Sequence, residues 1–199
     1  MVQWDERFAA DGYFYGTEPN DFLREHHAAI REGGDVLCLG EGEGRNAVFL
    51  AGRGLNAFAL DQSAVGLDKA RRLAAERGVR IETIVADLAD FHIEPGRWDG
   101  IVSIWCHLPR TLRAAVHRQV VDGLKVGGVF LLEAYTPAQL RHGTGGPKEL
   151  ELLPTLADLR GELAGLEFEH AVEVERVIRE GQGHDGLSAV VQIVARRRT

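Results

Sequence analysis

Three glycines at alternate positions follow a short apolar run near residue 40. Gly40, Gly42 and Gly44 stand in the segment VLCLGEGEGRNAVFL. Glycine lets the chain turn tightly and lets its backbone approach a ligand closely, because no side chain intervenes. In open α/β sheets, a turn between a strand and a helix is a common place for a ligand. The spacing therefore predicts that this turn holds part of a bound cofactor.

A turn of this kind serves two classes of cofactor, the dinucleotides and S-adenosylmethionine. The segment Gly42–Ala47 fits the loose pattern G-x-G-x-x-G/A of nicotinamide and flavin proteins. Asp61 lies about 20 residues after the turn, where a carboxylate can accept hydrogen bonds from ribose hydroxyls in either class. Glu41 and Glu43 separate the glycines, and two carboxylates would repel a pyrophosphate but not a sulfonium cation. The turn therefore favours S-adenosylmethionine, with a nicotinamide cofactor as the alternative.

Apolar runs and amphipathic stretches alternate along most of the chain. Five runs predict buried strands, at 35–40, 57–61, 81–87, 98–106 and 128–135. Stretches of helical period lie between them, and Ser63 and Gly78 are the expected N-cap and C-terminal stop of one helix. This alternation is typical of a doubly wound, mostly parallel α/β sheet.

The C-terminal part of the chain has a different pattern. Two apolar segments, at 168–178 and 187–197, are separated only by the residues REGQGHDG. That connection is too short for a helical crossover, so the two segments are predicted to form an antiparallel hairpin. A hairpin at the end of a parallel sheet, with no second domain, argues against a dehydrogenase.

Composition limits the classes of partner. The chain has 199 residues and a formal net charge of −7, which suits one globular domain and argues against a nucleic-acid partner. No apolar run approaches the roughly 18 residues of a membrane span. The two cysteines, Cys38 and Cys106, do not support a disulfide scaffold or a cysteine-based metal site, so no metal is expected. We therefore expect a cytoplasmic protein with no membrane partner, and the sequence leaves monomer and homodimer open.

Taken together, the motifs resemble those of the class I S-adenosylmethionine-dependent methyltransferases. Within that class the chain is similar to the small tellurite-resistance and thiopurine methyltransferases. The resemblance is carried by WDERFAADGYFYGTEPNDFL, LGEGEGRNAVFLA, LDQS, ADLADF, WDGIVSIWCHLP and EGQGHDGLSAVVQIVARR. It implies a Rossmann-like, doubly wound sheet of seven strands in the order 3-2-1-4-5-7-6. It also implies one methyltransferase domain over 1–199, with a helical lid or cap segment at 1–34 and the core at 35–199.

The resemblance also assigns roles to residues. The glycine turn would wrap the methionine part of the cofactor, with Arg45 near its carboxylate and Tyr15 in a lid. Asp61 would hold the ribose, Asp87 and Leu88 the adenine, and the end of the fourth strand would line the site near the sulfonium. The expected cofactor-binding residues are Tyr15, Gly40, Glu41, Gly42, Gly44, Arg45, Asp61, Gln62, Asp87, Leu88, Ile104 and Trp105.

One position departs from the pattern of the class. Many members carry an acidic residue in the first strand where this chain has Cys38. That acid helps to orient the turn. Glu41 and Glu43 are the nearby carboxylates that could compensate for its loss.

Methyl transfer from a sulfonium asks the protein mainly for proximity, orientation and a dry site. A thiol or an oxyanion such as tellurite is the acceptor that the resemblance favours, and neither requires a general base. For other acceptors His107, after the fourth strand, is the candidate base, although it could instead begin the following helix. A non-catalytic protein that binds S-adenosylmethionine or S-adenosylhomocysteine, and a nicotinamide-dependent oxidoreductase, are the alternatives.

Overall fold

Seven strands form one sheet in the computed structural model, which describes residues 2–199 and the side chains from Trp4 onward. The strands are β1 (Asp35–Leu39), β2 (Asn56–Asp61), β3 (Glu82–Val85), β4 (Trp98–Ile104), β5 (Leu124–Tyr135), β6 (Leu166–Glu180) and β7 (His184–Arg197). The helices are α1 (Val2–Phe8), α2 (Asp21–His26), α3 (Arg45–Gly52), α4 (Ala64–Glu76), α5 (Arg110–Gly123) and α6 (Leu156–Glu162). Short 3-10 helices cover His27–Ala29, Pro137–Arg141 and Leu150–Leu152.

The order of the strands confirms the predicted fold class. The sheet runs β3-β2-β1-β4-β5-β7-β6. Strands β1 to β5 pair in parallel, and β7 is inserted antiparallel between β5 and β6. Because parallel neighbours share an orientation, the carboxyl ends of β1 to β5 meet at one edge of the sheet. We call it the carboxyl edge.

The central strands are apolar because both of their faces are covered. Every residue of β4 is buried, as expected for a parallel strand between two layers of helices. In β1, Leu37 and Leu39 pack into the cluster that includes α5 and α6. Val36 and Cys38 point the other way, into the cluster with α2, α3 and α4. The two-residue period of the strand thus builds a core on each face of the sheet.

The helices begin and end at residues with the expected local chemistry. The Ser63 hydroxyl accepts a hydrogen bond from the Gly66 amide at the start of α4, and Gly78 adopts φ +68° after its end, which confirms the two predicted signals. The longest helix, α5, has 14 residues. Within residues 2–199, no helix combines the length and the apolar character that crossing a membrane requires.

Predicted and observed strand ends differ most in the hairpin. β6 and β7 extend past the predicted segments and leave only 181–183 for the turn. β6 lies at the edge of the sheet and is mostly exposed, so the ladder of backbone hydrogen bonds continues through polar residues that carry no apolar pattern. β3, at the other edge, stops at Val85, before the predicted end.

Candidate cofactor site and acceptor end

The carboxyl edge gathers the residues that the sequence singled out on separate strands. The glycine turn follows β1, Asp61 is the last residue of β2, and Asp87 follows β3. Trp105 and His107 follow β4. The fold thus brings the candidate cofactor residues to one end of the sheet, as in other open α/β sheets that bind a ligand at this edge.

The three glycines of the turn have backbone conformations that other residues adopt with strain. Their φ angles are +61°, +61° and +90° at Gly40, Gly42 and Gly44. A Cβ atom at Gly40 would lie 2.9 Å from the Sγ atom of Cys106, and one at Gly42 would lie 3.0 Å from the ring of Phe8. The turn therefore needs glycine for both conformation and packing, and α1 lies directly on it.

Asp61 fixes the turn to the end of β2. Its Oδ2 atom accepts from the Gly42 amide at 2.8 Å, and its Oδ1 atom accepts from the Ser63 amide at 2.8 Å. The residue is 8% exposed, and burial raises the pKa of its carboxyl. Each carboxylate oxygen has more than one lone pair, so this carboxylate can still accept hydrogen bonds from ribose hydroxyls.

Asp87 lies beside Asp61 and is open to solvent. The Ala86 amide donates to the Asp61 carbonyl at 3.0 Å, which continues the pairing of β2 with β3 past its end. The Asp87 side chain is exposed and accepts from the Ala89 amide at 2.9 Å. Leu88, the next residue, is buried. A carboxylate with this exposure is available to an adenine amino group.

Glu41 caps the helix that follows the turn. Its Oε1 atom accepts from the amides of Asn46 at 2.9 Å and Ala47 at 2.8 Å. Burial raises the pKa of this carboxyl to about 7. Burial raises the pKa of the Cys38 thiol, and the adjacent Glu41 carboxyl raises it further. A carboxyl is thus present beside the strand position where many class members carry an acid.

The hydrogen bonds of Glu41 to the start of α3 distinguish between the two classes of cofactor. Dinucleotide-binding folds place the pyrophosphate on the free amides at the start of the helix after the turn. In this protein Glu41 already occupies the amides of Asn46 and Ala47. The donor set of the turn therefore fits a cofactor that has no phosphate.

Glu43 anchors the N-terminal segment to the turn. Its Oε2 atom accepts from the amides of Phe14 at 2.8 Å and Tyr15 at 3.3 Å. Its Oε1 atom lies 2.9 Å from Nζ of Lys69, which also donates to the carbonyl oxygen of Gly12 at 2.6 Å. The carboxylate is therefore engaged with the protein itself and holds the chain around 12–15 over the carboxyl edge.

Aromatic rings line the carboxyl edge beyond β4 and β5. Tyr15 stacks on His184, and His184 stacks on Trp105, each with ring centroids 4.9 Å apart. Trp105 in turn stacks on Tyr135 at 4.6 Å, and the Tyr135 hydroxyl lies 2.6 Å from Nδ1 of His184. We call these four residues the aromatic column. Among residues 2–199, Trp105 is also the one non-glycine residue with positive φ, at +57°. Strained backbone of this kind clusters at ligand-binding positions.

His107 has both ring nitrogens engaged with the backbone. Nδ1 lies 3.0 Å from the carbonyl oxygen of Trp105, and Nε2 accepts from the Tyr135 amide at 3.1 Å. Burial lowers its pKa to about 4. The geometry therefore counts against the predicted role of His107 as a general base and favours a role in joining the ends of β4 and β5.

A buried ionic network lies behind the aromatic column. The Oε2 atom of Glu180 accepts from Trp105 Nε1 at 2.6 Å and from the Arg45 guanidinium at 2.5 Å. Its Oε1 atom accepts from Asn20 at 2.8 Å. Arg45 is therefore neutralised inside the protein, which counts against its predicted contact with the cofactor carboxylate.

The sequence did not reveal two residues of this region. Neither the His184 nor the Glu180 side chain is marked by a motif, because both lie at the end of a hairpin far along the chain. The REGQGHDG segment is the part of the sequence that could have indicated these residues, because it is glycine-rich and links two strands whose adjoining ends lie at the carboxyl edge. Its tip packs on the N-terminal segment, where the Gln182 amide donates to the Phe14 carbonyl at 2.9 Å.

The carboxyl edge is covered by the protein's own N-terminal segment and hairpin tip. A surface cavity of about 310 Å³ lies elsewhere, among Phe58, Ile84 and Trp98 on the outer part of β2, β3 and β4. That cavity contains none of the predicted site residues. The geometry of the turn, and not this cavity, therefore identifies the candidate cofactor site.

Comparisons with known proteins agree with this geometry. Residues 36–128 match the family model described as a methyltransferase domain. Over 117 residues the chain is 32% identical to 2-heptyl-1-hydroxyquinolin-4(1H)-one methyltransferase of Mycobacteroides abscessus, a match that covers 57% of this chain and 52% of that protein. The chain thus spans about half the length of this curated relative.

Solved structures share the fold. TehB from Haemophilus influenzae is 18% identical with a TM-score of 0.72, over 98% of this chain and 65% of that one. A SAM-dependent methyltransferase from Aquifex aeolicus is 15% identical with a TM-score of 0.65, over 88% of each chain. The fold is the one that these solved methyltransferase structures share, and a methyltransferase domain model matches 36–128 of the chain.

Proposed function

We propose that the protein transfers a methyl group from S-adenosylmethionine to a small-molecule acceptor. One observation carries the proposal. Glu41 occupies the amides of Asn46 and Ala47 in the first turn of the helix after the glycine turn, while Asp61 ends β2 and Asp87 follows β3. This arrangement suits the ribose and adenine of a cofactor that has no phosphate.

The binding roles follow from position on the carboxyl edge. The glycine turn would hold the methionine part, Asp61 and Gln62 the ribose, and Asp87 with the Leu88 amide the adenine. Ile104 and Trp105 would lie beside the sulfonium, and Tyr15 would close the site. We propose one domain in which 1–34 acts as the lid and 35–199 as the core.

The chain's own contribution to the reaction is positioning. The cofactor supplies an activated methyl group when it is bound. The hydrogen bond from the Gly42 amide to Asp61 fixes the turn, and the turn and Asp61 would hold the methionine arm and the ribose. The N-terminal segment, anchored by Glu43, excludes water from the carboxyl edge. A dry, preorganised site of this kind accelerates a displacement that needs no covalent intermediate.

The acceptor end favours a nucleophile that ionises without help. His107 has no nitrogen free for a proton from the acceptor, and burial keeps the pKa of His184 low, at about 3. A thiol, a tellurite oxyanion or an acidic hydroxyl such as the N-hydroxyl named in the curated relative fits this requirement. We propose such an acceptor, in the cytoplasm, where the free thiols of Cys38 and Cys106 stay reduced.

Titration calorimetry with S-adenosylmethionine, S-adenosylhomocysteine and NADH tests the cofactor. We expect the two sulfur cofactors to bind and NADH not to bind. Asp61→Asn should weaken binding about tenfold or more, since one lost charge-assisted hydrogen bond is worth roughly 1.5–3 kcal/mol. Asp68→Asn, an exposed site on α4, is the matched control and should bind as the wild type does.

Other outcomes would decide between the remaining functions. Binding of NADH alone would move the function to hydride transfer and overturn the proposal. Binding of the sulfur cofactors without turnover on thiols, tellurite or N-hydroxyquinolones would favour a non-catalytic cofactor-binding protein. Methylation of one of these acceptors would establish the enzyme and its acceptor atom.

A further inference from the structure

The carboxylate of the cofactor's methionine arm needs a cationic partner that Arg45 does not provide. The Arg45 guanidinium lies 2.5 Å from Glu180, and the two side chains are 7% and 5% exposed. Its other contact is the Glu18 carbonyl oxygen at 3.4 Å. Because the Arg45 guanidinium is buried and its charge is neutralised by Glu180, it would have to break this ion pair to bind a second carboxylate.

Helix α1 brings a different arginine to the turn. Phe8 is 2% exposed and packs against the turn, where a Cβ atom at Gly42 would lie 3.0 Å from its ring and one at Gly66 would lie 2.9 Å from it. The Asp5 carboxylate also accepts from the Ser63 hydroxyl at 2.5 Å, beside the end of β2. These contacts fix α1 over the carboxyl edge, and Arg7 lies between Asp5 and Phe8 in the same helix.

The Arg7 guanidinium is held by aromatic residues. It lies 4.8 Å from the ring centroid of Trp4 and 5.4 Å from that of Phe14, and its Nη1 atom donates to the Tyr15 hydroxyl at 3.0 Å. Tyr15 belongs to the aromatic column, in which His184 lies between Tyr15 and Trp105, after β4. Arg7 is therefore oriented between the glycine turn and the end of β4.

The charge of Arg7 is uncompensated. In the part of the chain from Trp4 to Thr199, no carboxylate lies within ion-pair distance of its guanidinium. Neighbouring cations are already engaged, since Lys69 is paired with Glu43 and Arg176 with Glu133. The five N–H donors of an arginine suit a carboxylate that approaches in plane.

We propose that Arg7 binds the methionine carboxylate of S-adenosylmethionine, an inference that rests on the proposed cofactor. The carboxylate would meet the guanidinium beside Tyr15, while the adenosine part lies along Asp61 and Asp87. Arg7 thereby makes α1 part of the cofactor site, and binding of the amino-acid arm favours the closed N-terminal segment.

The test compares two ligands that differ in the amino-acid arm. S-adenosylhomocysteine carries the carboxylate, whereas 5′-methylthioadenosine shares the thioether and adenosine but lacks it. Calorimetry on Arg7→Gln should show affinity for S-adenosylhomocysteine reduced tenfold or more and affinity for 5′-methylthioadenosine within twofold of the wild type. Arg7→Lys keeps the charge and should recover part of the loss. Arg53→Gln is the matched control, because Arg53 also lies over an aromatic ring, that of Phe49.

Three results would overturn the inference. Equal weakening of both ligands in Arg7→Gln would mean that Arg7 acts through the packing of α1. Unchanged affinity for S-adenosylhomocysteine would place the carboxylate elsewhere. If the wild-type protein binds neither ligand, the proposed cofactor is wrong and Arg7 has no such role. The wild-type titration alone distinguishes this result from the first two.

Discussion

Burial in the glycine turn holds the carboxyl of Glu41 protonated to unusually high pH. Its pKa is raised from 4.5 to about 7, chiefly by burial, against the opposing effect of the two amides that it caps. The folded protein therefore binds this proton more tightly than the unfolded chain does. The resulting stability is fully present below pH 4.5 and is lost as pH rises through about 7.

Glu41→Gln should remove this pH dependence while keeping an oxygen for the helix amides. Between pH 5 and pH 8, the free energy of unfolding of the variant should rise relative to that of the wild type by roughly 1–3 kcal/mol. Urea unfolding at the two pH values measures it. Glu32→Gln, at an exposed position, is the control. A difference between Glu41→Gln and wild type that is the same at both pH values would contradict the prediction.

Buried histidines act in the opposite direction over part of this range. The pKa values of His107 and His184 are lowered by burial to about 4 and about 3. Their contribution to stability is present above pH 6.5 and is lost as pH falls toward these values. Both variants above retain these residues, so the difference between variant and wild type isolates the contribution of Glu41.

Residue types in the turn were predictable, whereas their partners were not. The spacing of the glycines, Asp61 and Asp87 follows the strand ends, which an apolar pattern locates within a few residues. Glu41 was considered for its charge, yet its contacts with Asn46 and Ala47 depend on the path of the turn. Such contacts between a side chain and the backbone across a turn produce no periodic pattern in the sequence, so the sequence does not predict them.

At the scale of elements, the β6–β7 hairpin completes a site that the parallel strands begin. Glu180, at the end of β6, reaches Trp105 after β4 and Arg45 at the start of α3. The short connection predicted the hairpin correctly. It did not predict that the tip folds over the carboxyl edge, because that placement depends on contacts between distant parts of the chain.

The Arg45–Glu180 pair should be strongly coupled. Glu180→Gln leaves a buried guanidinium without a charged partner and should cost about 3–5 kcal/mol of unfolding free energy. Arg45→Met combined with Glu180→Gln should be more stable than the sum of the single variants implies, by roughly 1–3 kcal/mol. Chemical denaturation of the four proteins in the cycle measures this coupling.

The matched control replaces an arginine on the same part of the molecule that has no buried partner. Arg53→Met should combine additively with Glu180→Gln, within about 0.5 kcal/mol. Additive behaviour of Arg45→Met as well would contradict the assignment of Glu180 as the partner that neutralises Arg45.

At the scale of the whole molecule, the first and last parts of the chain close over the same edge of the sheet. Glu43 holds the amides of Phe14 and Tyr15, and the hairpin tip packs on their other side. The alternation of elements predicted the doubly wound class, and the resemblance predicted the order of the strands. This closure was not, since it joins segments that share no sequence pattern.

Removing the anchor should loosen the N-terminal segment without loosening the core. Glu43→Ala should speed amide hydrogen exchange over 10–16 about tenfold or more, because two amides and Lys69 lose their acceptor. Exchange in β1 and β4 should not change. Glu18→Ala, which removes an exposed ion pair with Arg77 nearby, is the control. Equal rates over 10–16 in the wild type and Glu43→Ala would show that other contacts hold the segment.

The ionic network behind the aromatic column also bears on how the protein is made. Arg45 is synthesised 135 residues before Glu180. During translation the Arg45 guanidinium is therefore made before the Glu180 carboxylate that pairs with it. Strand β5 likewise precedes β7, its neighbour in the sheet. A nascent chain that stops before the hairpin therefore lacks the carboxylate that neutralises Arg45 in the folded protein.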